Sequence, residues 1–119
     1  MDRAAFAMPG GDRDEAGVSR PVDLGHLAKQ TLGDRELERD VLELFVKQAL
    51  GVRDRIADAT VKERLFLTHG LKGSARAVGA FAVAGCADEI EKSPEDTALL
   101  DRLVDLIEDV RDFVATISR

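Results

Sequence analysis

The sequence predicts an all-α domain: an antiparallel up-down-up-down four-helix bundle with a short additional N-terminal helix. Three observations carry this. Pro9, Pro21 and Pro94 are the only prolines, so residues 22–93 form a run in which nothing forbids long helices. From Asp23 to the C-terminus the apolar residues advance by threes and fours, the spacing of one helical face. No stretch alternates apolar and polar residues as a half-buried strand would. A length of 119 residues suits one such domain and leaves no second core for a nucleotide pocket.

The elements follow in order. Residues 1–20 combine Pro9-Gly10-Gly11, Gly17 and Ser19 with a mixed charge run and no sustained period, and read as a disordered arm ahead of a bundle over 21–119. Asp23 can cap a short helix through Leu24, Leu27, Ala28 and Leu32, which Gly33 ends. Asp34 then caps a long helix whose stripe is Leu37, Val41, Leu42, Phe45, Ala49, Val52, Ile56 and Ala59, with Gly51 as a local weakness. Thr60-Val61-Lys62-Glu63 has the form of a capping box. The third helix starts there, buries Leu67, Leu71, Ala75 and Val78, and ends at Gly79, the residue best suited to a left-handed cap. Phe81–Lys92 makes a fourth helix with Val83, Cys86, Ala87 and Ile90 inward. Ser93-Pro94-Glu95-Asp96 supplies a cap, a first-turn proline and acids for the fifth, whose apolar face runs from Leu99 and Leu100 to Val114 and Ile117.

Composition removes several function classes. Apolar residues at 45% suffice for one core, and charge at 34% implies long solvated faces. A net charge of −6 argues against a protein that neutralises nucleic-acid phosphates or grips an anionic membrane. No stretch approaches the length of a membrane span or a signal-peptide core. With a single cysteine, Cys86, no intrachain disulfide can close and Cys-rich zinc sites are excluded by count. The cytoplasm is the expected compartment.

One face does not fit a plain bundle. Opposite the buried stripe, the third helix carries Lys62, Leu65, Phe66, His69, Lys72, Gly73 and Arg76. Gly70 and Gly73 lie mid-helix, where each costs about 1 kcal/mol relative to Ala. A bare turn beside His69 lets another protein come close to the imidazole. Residues 62–76 hold four cations, Lys62, Arg64, Lys72 and Arg76, against the single acid Glu63. A neutral imidazole is a competent nucleophile near neutral pH, and a nearby cation would screen a phosphoryl group placed on it. The competing reading is an inert surface histidine among solvated bases. His69 and Glu91 lie at similar distances on either side of the Gly79-Ala80 reversal, so at about 1.5 Å per residue they should stand level on adjacent helices. There a carboxylate could fix the ring's tautomer and leave the other nitrogen free; a solvated end-of-helix acid is the alternative.

THGLKGSARAVGAFAVAGCADEIE resembles the phosphorylation-site segment of histidine phosphotransfer (HPt) domains: a small residue, His, any residue, Leu-Lys-Gly, a small residue, then Gly-Ala and a Leu-Glu-like pair on the next helix. Thr68, His69, Leu71, Lys72, Gly73, Ser74, Gly79, Ala80, Ile90 and Glu91 fit it. The departures are Gly70 for a commoner non-Gly residue, Val83 for Leu, and a short loop before Thr60. The resemblance implies the helical bundle already derived. It implies His69 as phosphoacceptor, Lys72 as phosphate stabiliser, Gly73 as the opening for a partner and Glu91 as the group holding the imidazole. It further implies a stand-alone, monomeric phosphocarrier of a two-component phosphorelay rather than an enzyme. Its partners would be receiver domains of a hybrid histidine kinase and of a response regulator, gripped through Lys62, Leu65, Phe66 and Arg76. No cofactor is implied for this chain; Mg²⁺ would belong to the receiver's acidic pocket. The rival function is a non-phosphorylated helical module that uses the same face to bind an acidic partner.

The remaining candidates read as structural. His26 lacks a Lys-Gly at the following turn and reads as a surface or capping residue, Cys86 as inert core, and Phe45, Phe81 and Phe113 as packing. No phosphate-binding Gly-rich loop, metal-ligand set or Ser/His/Asp order is present.

Overall fold

The computed structural model describes residues 20–118; the arm read over residues 1–20 lies, Arg20 apart, outside the described residues. Five helices follow in order, α1 (Leu24–Gln30), α2 (Arg35–Ile56), α3 (Val61–Val78), α4 (Phe81–Lys92) and α5 (Thr97–Ile117), and no strand occurs among the described residues. Short connections make α2 to α5 antiparallel neighbours. α2 packs on α3, α3 on α4, α4 on α5 and α5 back on α2, which closes the ring, while α1 lies against α3.

The caps explain where the helices begin. Asp23, Asp34 and Thr60 each accept a backbone N–H of the first turn, and Glu63 returns the bond to the Thr60 N–H at 2.8 Å, completing the capping box. The core is the apolar stripe of each helix. Phe45, Ile56, Leu71, Ala75, Ile90, Leu103 and Ile107 are all at most 3% exposed. Cys86 belongs to this core at 2% exposure; its thiol faces the Leu99 carbonyl at 3.5 Å, and burial pushes its pKa up. Thr68 is fully buried, and its hydroxyl donates to the Arg64 carbonyl at 2.7 Å, so its polar group is satisfied.

Five expected details differ. Phe81, read as packing, and Ile117, read on the apolar face of the fifth helix, are both exposed. Leu32 is not a core residue. α1 stops at Gln30, the Thr31 hydroxyl turns back onto the Leu27 carbonyl, and Leu32 takes a left-handed φ of 54° that leaves it 94% exposed. Leu37 sits in the first turn of α2 and is 44% exposed, ahead of the first buried member, Leu42. The Ser93-Pro94 pair does not start α5. The Ser93 N–H closes onto the Glu89 and Ile90 carbonyls, making it the end of α4, and Asp96 caps α5.

Two side-of-bundle ties hold the ends. Arg64, half-buried in the first turns of α3, donates to the carbonyls of Ile56 (3.0 Å), Ala57 (2.8 Å) and Pro94 (3.0 Å), which satisfies the C-terminus of α2 and anchors the α4–α5 connection. At the opposite end Gly79 has φ 89°, and its carbonyl accepts the Asp23 N–H at 2.9 Å. A Cβ on Gly79 would stand 2.9 Å from the Asp23 carbonyl oxygen, whereas one on Gly51 would meet nothing within 4 Å.

These glycines should therefore respond oppositely to alanine. Gly79→Ala should destabilise by about 1–3 kcal/mol, since a left-handed non-glycine residue costs about 1–2 kcal/mol before the collision is counted. Gly51→Ala should stabilise by up to about 1 kcal/mol through helix propensity. Urea titrations of both variants check the signs.

Candidate functional site

α3 presents its exposed face as the spacing requires. Lys62, His69 and Arg76 recur every seven residues along one line of the helix and are all exposed. Phe66 is 78% exposed and Leu65 lies at the margin of exposure. A Cβ on Gly73 would meet nothing within 4 Å, so the turn beyond His69 is open.

His69 and Glu91 meet as the register across Gly79 predicts. His69 Nδ1 lies 3.1 Å from Glu91 Oε2, while the imidazole side chain remains 77% exposed. A carboxylate on Nδ1 favours the tautomer with its proton there, which leaves the Nε2 lone pair available. The other oxygen, Glu91 Oε1, accepts a hydrogen bond from Lys72 Nζ. Lys72 Nζ also reaches Asp88 Oδ1 at 3.3 Å, and Asp88 Oδ2 pairs with Lys92 Nζ at 3.3 Å. The four predicted residues His69, Lys72, Gly73 and Glu91 are thus brought together.

The electrostatics follow this chain of contacts. Lys72 holds the Glu91 carboxyl below its ordinary value, with partial burial opposing and His69 adding to the effect. Glu91 in turn raises the Lys72 ammonium, against partial burial, and Asp88 adds to it. Asp88 is lowered by Lys92 first and Lys72 second.

The basic island read from residues 62–76 is smaller than its composition. Arg64 is spent on three carbonyls at the end of the bundle, and Lys72 is paired with two carboxylates and only 16% exposed. Sequence reasoning also missed two contributions. Asp88, one turn before Glu91, joins the network. Across α3, α2 lines an open groove of ≈ 540 Å³ with Lys47, Gly51 and Arg55, facing Phe66, His69 and Gly70. The positions 47, 51 and 55 share one face of α2 at i, i+4 and i+8, so the signal was Gly51, read there only as a weak point. His26 lies apart from this site, edge-on to Phe81 with ring centroids 5.1 Å apart. Among the described residues no group of three or more His, Cys, Asp or Glu side chains could hold a metal ion, and no helix is long and apolar enough to cross a membrane.

A helical bundle that offers one solvent-facing histidine, its ring held by a carboxylate from the next helix, defines a narrow class of protein. The Hpt domain model matches residues 36–113, from the first turn of α2 to near the end of α5, and the chain belongs to that family, the histidine phosphotransfer domains of phosphorelays. No curated protein and no solved structure matches the chain.

The Glu91 pairs give a pH signature. Because the folded carboxyl is lowered, its contribution to stability is present above the ordinary glutamate value and is lost as pH falls through the folded one. Wild type should exceed Glu91→Gln in denaturant midpoint at about pH 7, and the gap should shrink progressively as pH falls below the ordinary glutamate value. A gap independent of pH would mean that the charge of Glu91 is not what stabilises.

Proposed function

We propose that His69 is the phosphoacceptor of this Hpt domain, taking a phosphoryl group from the phospho-aspartate of one receiver domain and passing it to another. The observation that carries this reading is the divided Glu91 carboxylate: one oxygen faces His69 Nδ1 at 3.1 Å, the other is held by Lys72, and the ring is otherwise bare to solvent. In the transfer, the Nε2 lone pair attacks phosphorus as the bond to the aspartyl oxygen breaks, and the receiver's carboxylate leaves with that electron pair. The Nδ1 proton stays in place, so the phosphorylated ring is cationic, and Glu91 stands opposite the charge that develops.

The chain's own contribution is orientation and access, which makes it a carrier without a nucleotide site; the Mg²⁺ that the transfer uses belongs to the receiver's acidic pocket. Leu65 and Phe66 supply apolar contact, and Lys62 and Arg76 flank His69 with charge complementary to such a pocket. Lys47 and Arg55 extend that positive rim onto α2. The partners are receivers of a hybrid histidine kinase and of a response regulator, the carrier acts as a monomer, and the compartment is the cytoplasm.

Two predictions separate this from a bundle that merely binds an acidic partner. A receiver phosphorylated on its aspartate with acetyl phosphate should label the chain with an acid-labile, base-stable phosphate; His69→Gln should abolish the label and His26→Gln should keep it. Persistent label in His69→Gln would move the site elsewhere.

Gly73→Gln should melt no lower than wild type, because the space beyond its Cα is open and glutamine favours helix by about 0.5–1 kcal/mol over glycine. Its transfer rate should nevertheless fall by at least about tenfold, since the added side chain occupies the approach to His69. Thermal unfolding paired with transfer kinetics checks both halves.

A further inference from the structure

This inference rests on His69 as phosphoacceptor and concerns what sets its hold on the phosphoryl group. In the unphosphorylated chain Lys72 is paired with two carboxylates. Its ammonium lies against Glu91 Oε1 and 3.3 Å from Asp88 Oδ1, and its side chain is only 16% exposed. Asp88 is itself shared, because Lys92 Nζ takes its second oxygen at 3.3 Å from a side chain that is 75% exposed. The five side chains form one line: His69, Glu91, Lys72, Asp88, Lys92. Two cations, Lys72 and Lys92, balance two carboxylates, Asp88 and Glu91.

Phosphorylation upsets that balance. The phosphoryl group brings two negative charges and the ring one positive charge to the His69 end of the line, within reach of the residue one helical turn on. We propose that Asp88 is a positioning residue that competes with the phosphoryl group for the Lys72 ammonium, and that Lys92 sets the strength of this competition by occupying the other Asp88 oxygen. Asp88 thereby tunes how far the phosphoryl equilibrium lies toward the carrier. Both substitutions that test this have definite signs. Asp88→Asn releases Lys72 toward the phosphoryl group and should favour the phosphorylated chain. Lys92→Met leaves Asp88 more fully available to Lys72 and should disfavour it. The effects should be modest, since exposed and half-exposed ion pairs contribute about 0.2–1 kcal/mol, equivalent to roughly 1.4- to fivefold in an equilibrium.

Phosphoramidate tests this without a receiver. Its P–N bond breaks as the bond to His69 Nε2 forms, and ammonia leaves, so at fixed phosphoramidate and ammonia concentrations the ratio of phosphorylated to free His69 reports the equilibrium. ³¹P and ¹H–¹⁵N NMR read that ratio, and thermal unfolding establishes that each variant is folded. Asp88→Asn should raise the ratio roughly 1.4- to fivefold, Lys92→Met should lower it, and in a Lys72→Met background Asp88→Asn should have no effect. Ratios that do not move, that move in one direction for both variants, or that respond to Asp88→Asn without Lys72 overturn the inference while leaving His69 as the acceptor. Absence of phosphohistidine at His69 in the wild type overturns the acceptor reading and this inference together.

Discussion

The left-handed turn at Gly79 is the constraint on which the site depends. It fixes how α3 is followed by α4, and so which residue of one stands beside which residue of the other. Ten residues before it lies His69 and twelve after it Glu91, and their side chains meet at 3.1 Å. A turn one residue longer would rotate α4 by about 100° relative to this register and carry Glu91 off the facing side. The same glycine accepts the Asp23 N–H, so α1 is seated by the residue that sets the register of the site.

Within that frame the site works by division of bonding capacity. A carboxylate has two oxygens, and Glu91 gives one to the imidazole and one to Lys72. Were Glu91 unpaired with Lys72, its side chain would have more rotamers to choose from, and the histidine's orientation would be correspondingly less fixed. The lysine one turn after His69 is therefore first a clamp in the resting chain. Its ammonium is shared between Glu91 and Asp88.

Local chemistry was legible in the sequence wherever one residue type satisfies one requirement. Thr60 and Glu63 announce a capping box, Gly79 a left-handed cap, and the threes-and-fours of Leu67, Leu71, Ala75 and Val78 a buried stripe; each stands where the spacing put it. Glu91 was found by counting from the turn, because rise per residue is nearly constant. Ser93-Pro94-Glu95-Asp96 was misread because it contains two competent caps, and the choice of Asp96 follows from Ser93 closing the end of α4. Asp88 and Arg64 were illegible for a different reason. Their roles depend on where long side chains from separate elements reach, and a count of charges along one helix does not distinguish a base that faces a partner from one spent on the carbonyls of Ile56, Ala57 and Pro94.

The single cysteine gives the bundle a built-in gauge of its own breathing. Cys86 lies in α4, buried in the core with its thiol against the Leu99 carbonyl of α5, and is the chain's only thiol. A thiol reagent can reach it only when α4 parts from its neighbours, so the labelling rate of the native chain, divided by that of the unfolded chain, measures the population of that opening. Glu91, which holds the imidazole, is carried by the same helix one turn and a half further on. An opening that parts α4 from α3 breaks the His69–Glu91 contact and bares the thiol together, so the labelling free energy is a lower limit on that loss, measured on the wild-type protein with no introduced probe.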